Sequence, residues 1–244
     1  SAVEIYRHDA AVRKRADLFS DLLSFLDADI VIYTSGGQQY YSTASDLPQE
    51  IQLLLRQKVS NVIAQGSLKL IRNLGSTMLS IKGRLLQSDG EDYCVYILSQ
   101  MANTAVFDKY TIRCFSADED LQDSKPIEFY LGSSEEISAA HAACQRYAAM
   151  NAPVLIEGER GTGKDRFAHY LYSHSKFKQN SFVVIDASLL DKKGWDFLLK
   201  SDSSPLTDSG LTISFIRMQA IPPEQQKDFR LYLKNSRVMQ TNRL

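Results

Sequence analysis

Gly158-Glu159-Arg160-Gly161-Thr162-Gly163-Lys164-Asp165 is the stretch that decides how this 244-residue chain is read. It follows a short apolar run, Pro153-Val154-Leu155-Ile156, and opens a segment in which Phe167, Ala168 and Leu171 recur at helical spacing. Strand, glycine-rich loop and helix, in that order, form the context in which backbone N–H groups cradle phosphate oxygens. The glycines let those groups turn inward, and the helix N-terminus adds partial positive charge. Lys164 is expected to reach terminal phosphates as a point charge. Loops of this kind usually continue with Ser or Thr, whose hydroxyl sits on magnesium. Asp165 holds that place and cannot act in the same way. The plain alternative is a glycine-rich turn between a strand and a helix.

Composition sets the outer bounds. The length suits one large domain or two ordinary ones. Apolar residues are 44% and charged residues 23%, as in ordinary globular proteins, and the net charge of -1 draws the chain toward neither nucleic acid nor membrane. No apolar run approaches the roughly 20 residues needed to span a bilayer. The start, Ser1-Ala2-Val3-Glu4, has no signal-peptide pattern and no Met, so the chain is expected to be cut from a longer one. Cys94, Cys114 and Cys144 are widely spaced without a Cys-x-x-Cys pair, which points to reduced, buried thiols in a cytoplasmic protein. His8, His141, His169 and His174 show no metal-ligand spacing, and no metal is assigned.

From the N-terminus, Val12, Phe19, Leu22, Leu23 and Leu26 recur at helical spacing, with charged residues on the opposite face. The cluster Arg13-Lys14-Arg15 reads as a solvated helix face rather than a nucleic-acid contact. The narrow apolar stripe predicts parallel pairing of Val12, Phe19, Leu22 and Leu26 between two chains. Ile30 to Tyr33, the turn Ser35-Gly36-Gly37, and Gln38 to Tyr41 give a hairpin. Asp46-Leu47-Pro48 starts a helix running through Leu54, Val59, Val62 and Ile63. Strands are expected at Leu68 to Ile71, Thr77 to Leu86 and Tyr93 to Leu98, the last two joined by Ser88-Asp89-Gly90-Glu91. Tyr33, Tyr40, Tyr41, Tyr93 and Tyr96 fall on these strands, where a ligand pocket and core packing explain them equally well.

This order of elements resembles a PAS-type sensor domain over about residues 10–100. The resemblance implies a small antiparallel sheet with helices on one face and an unknown ligand, or none. The polar, acidic run 116–126 reads as part of a linker. Beyond it, Ser133-Ser134-Glu135-Glu136 forms a capping-box signature ahead of a helix whose buried stripe is Ile137, Ala140, Cys144 and Tyr147.

From Leu131-Gly132-Ser133-Ser134 through Pro153 to Asp165, and on through Ser181-Phe182-Val183-Val184-Ile185-Asp186-Ala187, the chain resembles the AAA+ domain of sigma-54-dependent transcriptional activators, the bacterial enhancer-binding proteins. That family also has an acidic residue after the loop lysine, and a PAS-like sensor often precedes its AAA+ domain. The fold class implied is α/β and α+β in two domains: a PAS-like antiparallel sheet with helices, then a P-loop AAA+-like parallel sheet with helices. The boundaries expected are 1–28 for a dimerisation helix, 29–107 for the sensor, 108–127 for the linker and 128–244 for an incomplete nucleotide-binding domain. Gly158, Glu159, Arg160, Gly161, Thr162, Gly163, Lys164 and Asp165 are the nucleotide-binding candidates, joined by Asn242, which matches the family's sensor asparagine in Val238-Met239-Gln240-Thr241-Asn242.

Two departures from the family bear on function. Its metal-holding Asp-Glu pair falls, by alignment on Ile221-Pro222, at Ile216 and Arg217, an aliphatic group and a cation. The segment between Leu190 and Gly210 is too short for the family's Gly-Ala-Phe-Thr-Gly-Ala loop, which touches the sigma factor. The chain also ends before the family's helical lid, arginine fingers and helix-turn-helix, so DNA contact would come only from a domain outside it. No catalytic residue is assigned. The function expected is a signal-responsive transcription regulator, a homodimer through its N-terminal helix and PAS-like domain, whose degenerate module binds ATP or ADP weakly or serves as a scaffold. Dependence on Mg2+ is expected to be weak or absent, and contact with sigma-54 polymerase or membrane is not expected. The alternatives are a working ATPase driving sigma-54-dependent transcription, with Asp186 or Asp208 supplying the acid, and a dimeric PAS protein in which the loop is a relic.

Overall fold

Alternating apolar residues place Val31 and Tyr33 on the same sheet face as Cys94, Tyr96 and Leu98, and the register Val31↔Tyr96 and Tyr33↔Cys94 sets them side by side. The structure is a computed structural model that describes residues 28–74, 77–88, 90–103, 111–115, 134–150, 152–208 and 210–235. The expected helix in 1–28 (apart from Ala28, which opens the first strand), the acidic run 116–126, Leu131 to Ser133 and Val238 to Asn242 lie outside those residues. The chain divides into two compact units. Described residues up to Leu68, with Leu79–Gln100, form the first; Lys69–Met78 and the described residues from Met101 onward form the second.

Strands β1 (Ala28–Thr34), β2 (Gln39–Ser42), β3 (Ser67–Leu74), β4 (Thr77–Ser88) and β5 (Glu91–Asn103) form a sheet in the order β2-β1-β5-β4-β3. The β1–β2 hairpin turns where Gly37 takes φ 76°, and Gly90 at φ 81° makes the tight turn before β5. The single helix expected after Pro48 is two, α1 (Gln49–Gln57) and α2 (Val59–Gln65). The break falls at Lys58, at φ -87° and ψ -1°, on the edge of the right-handed helical region. Gly66, left-handed at φ 75°, ends α2.

Ile51, Leu55, Val59 and Val62 carry the buried side of these helices in the first unit. Tyr96 is fully buried, donates its hydroxyl to the Leu55 carbonyl at 3.0 Å and meets Tyr33 edge-on at 6.0 Å between ring centroids. Tyr33 and Tyr96 are therefore core residues with satisfied polar tips, while Tyr40 is exposed and pairs with Tyr93 on the surface.

In the second unit, β6 (Ile112–Phe115), β7 (Phe182–Asp186) and β8 (Thr212–Ile216) form a sheet in the order β6-β7-β8. Strands β7 and β8 run parallel and β6 runs antiparallel to β7, so this sheet is mixed and not the wholly parallel one expected. Strand β6 also falls inside 108–127, the range read as linker. Residues of β3 are tied to the loop before β7: Asn180 Oδ1 accepts from the Lys69 N–H at 2.9 Å, and Ser181 Oγ accepts from the Ile71 N–H at 2.9 Å. Ile71, Ile112, Val183, Ile185, Trp195 and Phe229 share the core.

Helix α3 (Glu135–Ala148) starts at Ser134, whose hydroxyl accepts from the Ile137 N–H at 3.3 Å. Its buried side departs from the expected stripe. Cys144 and Ala148 are buried, whereas Ala140 is exposed and Tyr147 is 44% exposed. Helices α4 (Lys164–Ser173), α5 (Lys192–Lys200) and α6 (Pro223–Asn235) complete the second unit. Between Leu190 and Gly210, α5 buries Trp195 and Leu198 and a 3-10 turn follows at Pro205–Thr207. No described helix is long and apolar enough to cross a membrane.

Two measurements test the packing of the first unit. A Cβ at Gly83 would lie 2.9 Å from Tyr96 Cε1 and 3.0 Å from Val62 Cγ2. Overpacking of about 1–3 kcal/mol exceeds the roughly 0.4–1 kcal/mol an alanine gains by restricting the unfolded chain, so Gly83→Ala will lower the urea midpoint. Burial first, and Asp92 nearby second, push the Cys94 thiol up to about 11. Cys94 will therefore resist iodoacetamide at pH 8 in the native chain and react once urea exposes it; equal labelling in both states would contradict its placement.

Candidate phosphate-binding site

The loop Gly158 to Asp165 is shaped by where its glycines sit. Gly161 and Gly163 take φ 85° and 80°, the left-handed region that side chains avoid. A Cβ at Gly158 would come within 2.9 Å of Thr162 Oγ1. Thr162 closes the turn by donating its hydroxyl to the Glu159 carbonyl at 2.8 Å. Gly163 caps α4, so the N–H groups of Lys164 and Asp165 stand in its first turn, where no intrahelical acceptor exists. Glu159, Arg160, Gly161 and Thr162 are exposed.

Lys164 folds back on the loop. Its ammonium donates to the Gly158 carbonyl at 2.8 Å and to the carbonyl of Glu159. Of three N–H donors, two hold the loop shut on itself. A phosphate approaching here meets a lysine that exchanges carbonyl partners for phosphate oxygens, which reduces the net gain from its charge.

The segment before the loop differs from expectation. Pro153 to Glu159 has no strand assignment, and Leu155 is 79% exposed. The apolar run is present, but among the described residues it takes no place in the ladder β6-β7-β8.

A cleft of about 360 Å³ is lined by Arg113, Asp165, Asp186, Leu189, Ile216 and Arg217. It gathers the residue following Lys164 and the ends of two parallel strands, since Asp186 ends β7, Ile216 ends β8, and the two are in register. The carboxyl ends of parallel strands are where open α/β sheets bind ligands. Asp186 is 2% exposed, and both its oxygens are engaged. Oδ1 accepts from Arg217 Nε at 2.8 Å, from Ser188 Oγ at 2.7 Å and from the Ser188 N–H at 3.1 Å. Oδ2 pairs with an amino group of Arg217. Arg217 is the described non-glycine residue with positive φ, at 55°, a conformation that costs about 1–2 kcal/mol and needs a compensating contact. The bidentate pair supplies it.

Each acidic candidate thus has a place. Asp186 lines the cleft beside Asp165 but is held by Arg217 and Ser188. Asp208 forms an ion pair with Lys69 at 3.0 Å and is not among the cleft residues. A hard cation at the end of β8 would meet the aliphatic Ile216 and a guanidinium, so magnesium does not fit these residues. A phosphate fits the loop, whose open N–H groups and left-handed glycines leave room for it. Among the described residues no group of three or more His, Cys, Asp or Glu is placed to hold a metal. Sequence reasoning singled out Arg217 as a substitution without finding its partner, and passed over Arg113. The available signal was that Asp186 ends one strand and Arg217 directly follows the end of its neighbour.

Comparison with known proteins supports the same segment. Residues 130–201 match the sigma-54 interaction domain. The HTH-type transcriptional regulatory protein TyrR of Haemophilus influenzae is 33% identical over 64 residues, 26% of this chain and 20% of that protein. The transcriptional regulatory protein FlgR of Helicobacter pylori is 21% identical over 199 residues, covering 77% of this chain and 51% of the relative. The Nif-specific regulatory protein of Rhodobacter capsulatus is 32% identical over 66 residues, 27% of this chain and 11% of its own length. The chain therefore spans at most about half the length of these relatives. No solved structure matches it. The matched residues 130–201 hold the loop, the helix α4 and the strand β7, and over that segment the chain is similar to the sigma-54 interaction domain.

Proposed function

We propose that this chain is the sensing and nucleotide-responding part of a cytoplasmic transcription regulator, in which the module around Gly158–Asp165 binds ATP or ADP and turns it over poorly. The observation that carries this reading is the pairing of a phosphate-type loop with a carboxylate already claimed by an arginine. Gly158, Gly161, Gly163 and Lys164 keep the cradle, and Glu159, Arg160, Thr162 and Asp165 complete its frame. Asn242 would join them as the family's sensor residue. Phosphoryl transfer depends almost wholly on positioning and on neutralising charge. A site that keeps the cradle and commits its acid elsewhere retains binding and loses most of the rate.

The first unit supplies the sensing side of the proposal, as a PAS-like domain of unknown ligand. Pairing of two chains through Val12, Phe19, Leu22 and Leu26 would make the regulator a dimer. DNA contact would belong to a domain outside this chain. The similar proteins, transcriptional regulatory proteins by name, support this assignment of class.

Calorimetry should detect ATP or ADP, and Lys164→Ala should weaken that binding by about tenfold, the worth of one charged hydrogen bond. Steady hydrolysis that disappears in Asp186→Ala would establish the working-ATPase reading instead. The same proposal excludes remodelling of sigma-54 polymerase. Such remodelling needs hydrolysis to move a contact loop, and the segment Asp191 to Thr207 is instead a short helix and a 3-10 turn packed into the core. In an open-complex assay with sigma-54 polymerase, ATP and the full-length protein, no open complexes should form; complexes requiring both protein and ATP would refute this.

A further inference from the structure

The cleft beside the loop lacks a place for magnesium, yet a cation stands in it. A guanidinium has five N–H donors in one plane, and Asp186 engages two of its nitrogens, Nε and a terminal amino group. The remaining donors belong to a side chain that is 54% exposed and lines the same cleft as Asp165, the residue after Lys164. Their direction is set in advance. Ser188 holds Asp186 through two hydrogen bonds, Asp186 holds the fork, and the left-handed backbone at Arg217 carries its side chain back toward the end of β7. Arg113 lines the cleft as a second cation.

We propose that Arg217 occupies the role a divalent cation would have here, presenting fixed donors to a polyphosphate tail so that nucleotide binds without magnesium. This deepens the nucleotide-binding reading and rests on it. The chemistry favours an uncomplexed triphosphate over its magnesium complex. Magnesium consumes phosphate oxygens that Arg217 would otherwise engage, and its own positive charge opposes the guanidinium. Asp186 acts as a positioning residue that holds the fork and does not touch the ligand.

The test is calorimetry of the purified chain with ATP in EDTA and in excess magnesium, for the wild type, Arg217→Lys, Arg217→Ala and Lys164→Ala. ATP is expected to bind in EDTA at least as tightly as in magnesium. Arg217→Ala should weaken binding in EDTA by about tenfold, and Arg217→Lys should recover only part, because an ammonium lacks the fork. Arg217→Ala leaves a buried carboxylate unpaired; should it fail to fold, Asp186→Asn combined with Arg217→Leu removes the pair together and takes its place. Binding that requires magnesium overturns the proposal while leaving the nucleotide reading intact. Binding in EDTA that is lost in Lys164→Ala but unchanged in the Arg217 variants does the same. Absence of any ATP or ADP binding, in either buffer, overturns the nucleotide reading and this inference with it.

Discussion

Asp186 is the point on which the second unit's functional edge depends. A carboxylate 2% exposed at the end of a strand would cost several kcal/mol if left ionised without partners. Two solutions exist: a bound cation, or an internal one. This chain takes the internal one. Parallel register places Ile216 opposite Asp186, so the next residue, Arg217, leaves β8 level with the carboxylate. The left-handed turn there aims its fork at both oxygens. Arg217 is half exposed, so solvent weakens its attraction to Asp186, but the hydrogen-bond geometry remains that of a charge-assisted pair. The same contact that makes Asp186 tolerable inside the fold removes it from the pool of metal ligands.

How much of this was legible in the sequence varies with the range of the interaction concerned. The loop Gly158 to Asp165 could be read because its glycines serve a local backbone need, and both Gly161 and Gly163 sit at positive φ. The hairpins were legible for the same reason, through Gly37 and Gly90. The break at Lys58 was not, since no glycine or proline marks it and the apolar spacing runs through from Leu54 to Val62. Strand β6 was hidden in a supposed linker because four residues, Ile112 to Phe115, carry too little pattern to show a period. Its existence depends on pairing with β7, about seventy positions later, by the register Ile112↔Ile185. The stripe on α3 was misassigned within one turn, Tyr147 for Ala148, because helix spacing alone does not say which neighbours arrive.

The site shows the same division. The loop is a local feature, and its residues could be named one by one from the sequence. What surrounds it is not local: Arg113 comes from β6, Asp186 from β7, and Arg217 from the residue after β8. Reading Ile216 and Arg217 as losses followed from the chemistry of a hard cation, but it described a vacancy. In the folded chain Arg217 is half of an interaction, and its partner is the carboxylate considered as a substitute catalytic acid. Asp208, the other candidate, is used likewise by Lys69. Both acids serve the fold through basic partners that no spacing rule links to them.

A site of this kind would still transmit a signal without turning over its ligand. A ligand shifts a conformational equilibrium only by its difference in affinity between two states. One additional charged hydrogen bond, the difference a terminal phosphate makes at a fixed donor, is worth about 1.5–3 kcal/mol. That corresponds to a roughly tenfold to hundredfold change in an equilibrium constant, enough to bias a switch poised near balance but far short of the ~10⁴ needed to throw one from end to end. Lys164 narrows the margin further, because its ammonium gives up the Gly158 and Glu159 carbonyls to reach a phosphate. On the proposed reading, such energetics suit a module that tunes a regulator in proportion to nucleotide. They do not suit one that performs a mechanical stroke, which would need the free energy of hydrolysis and an acid free to help release it.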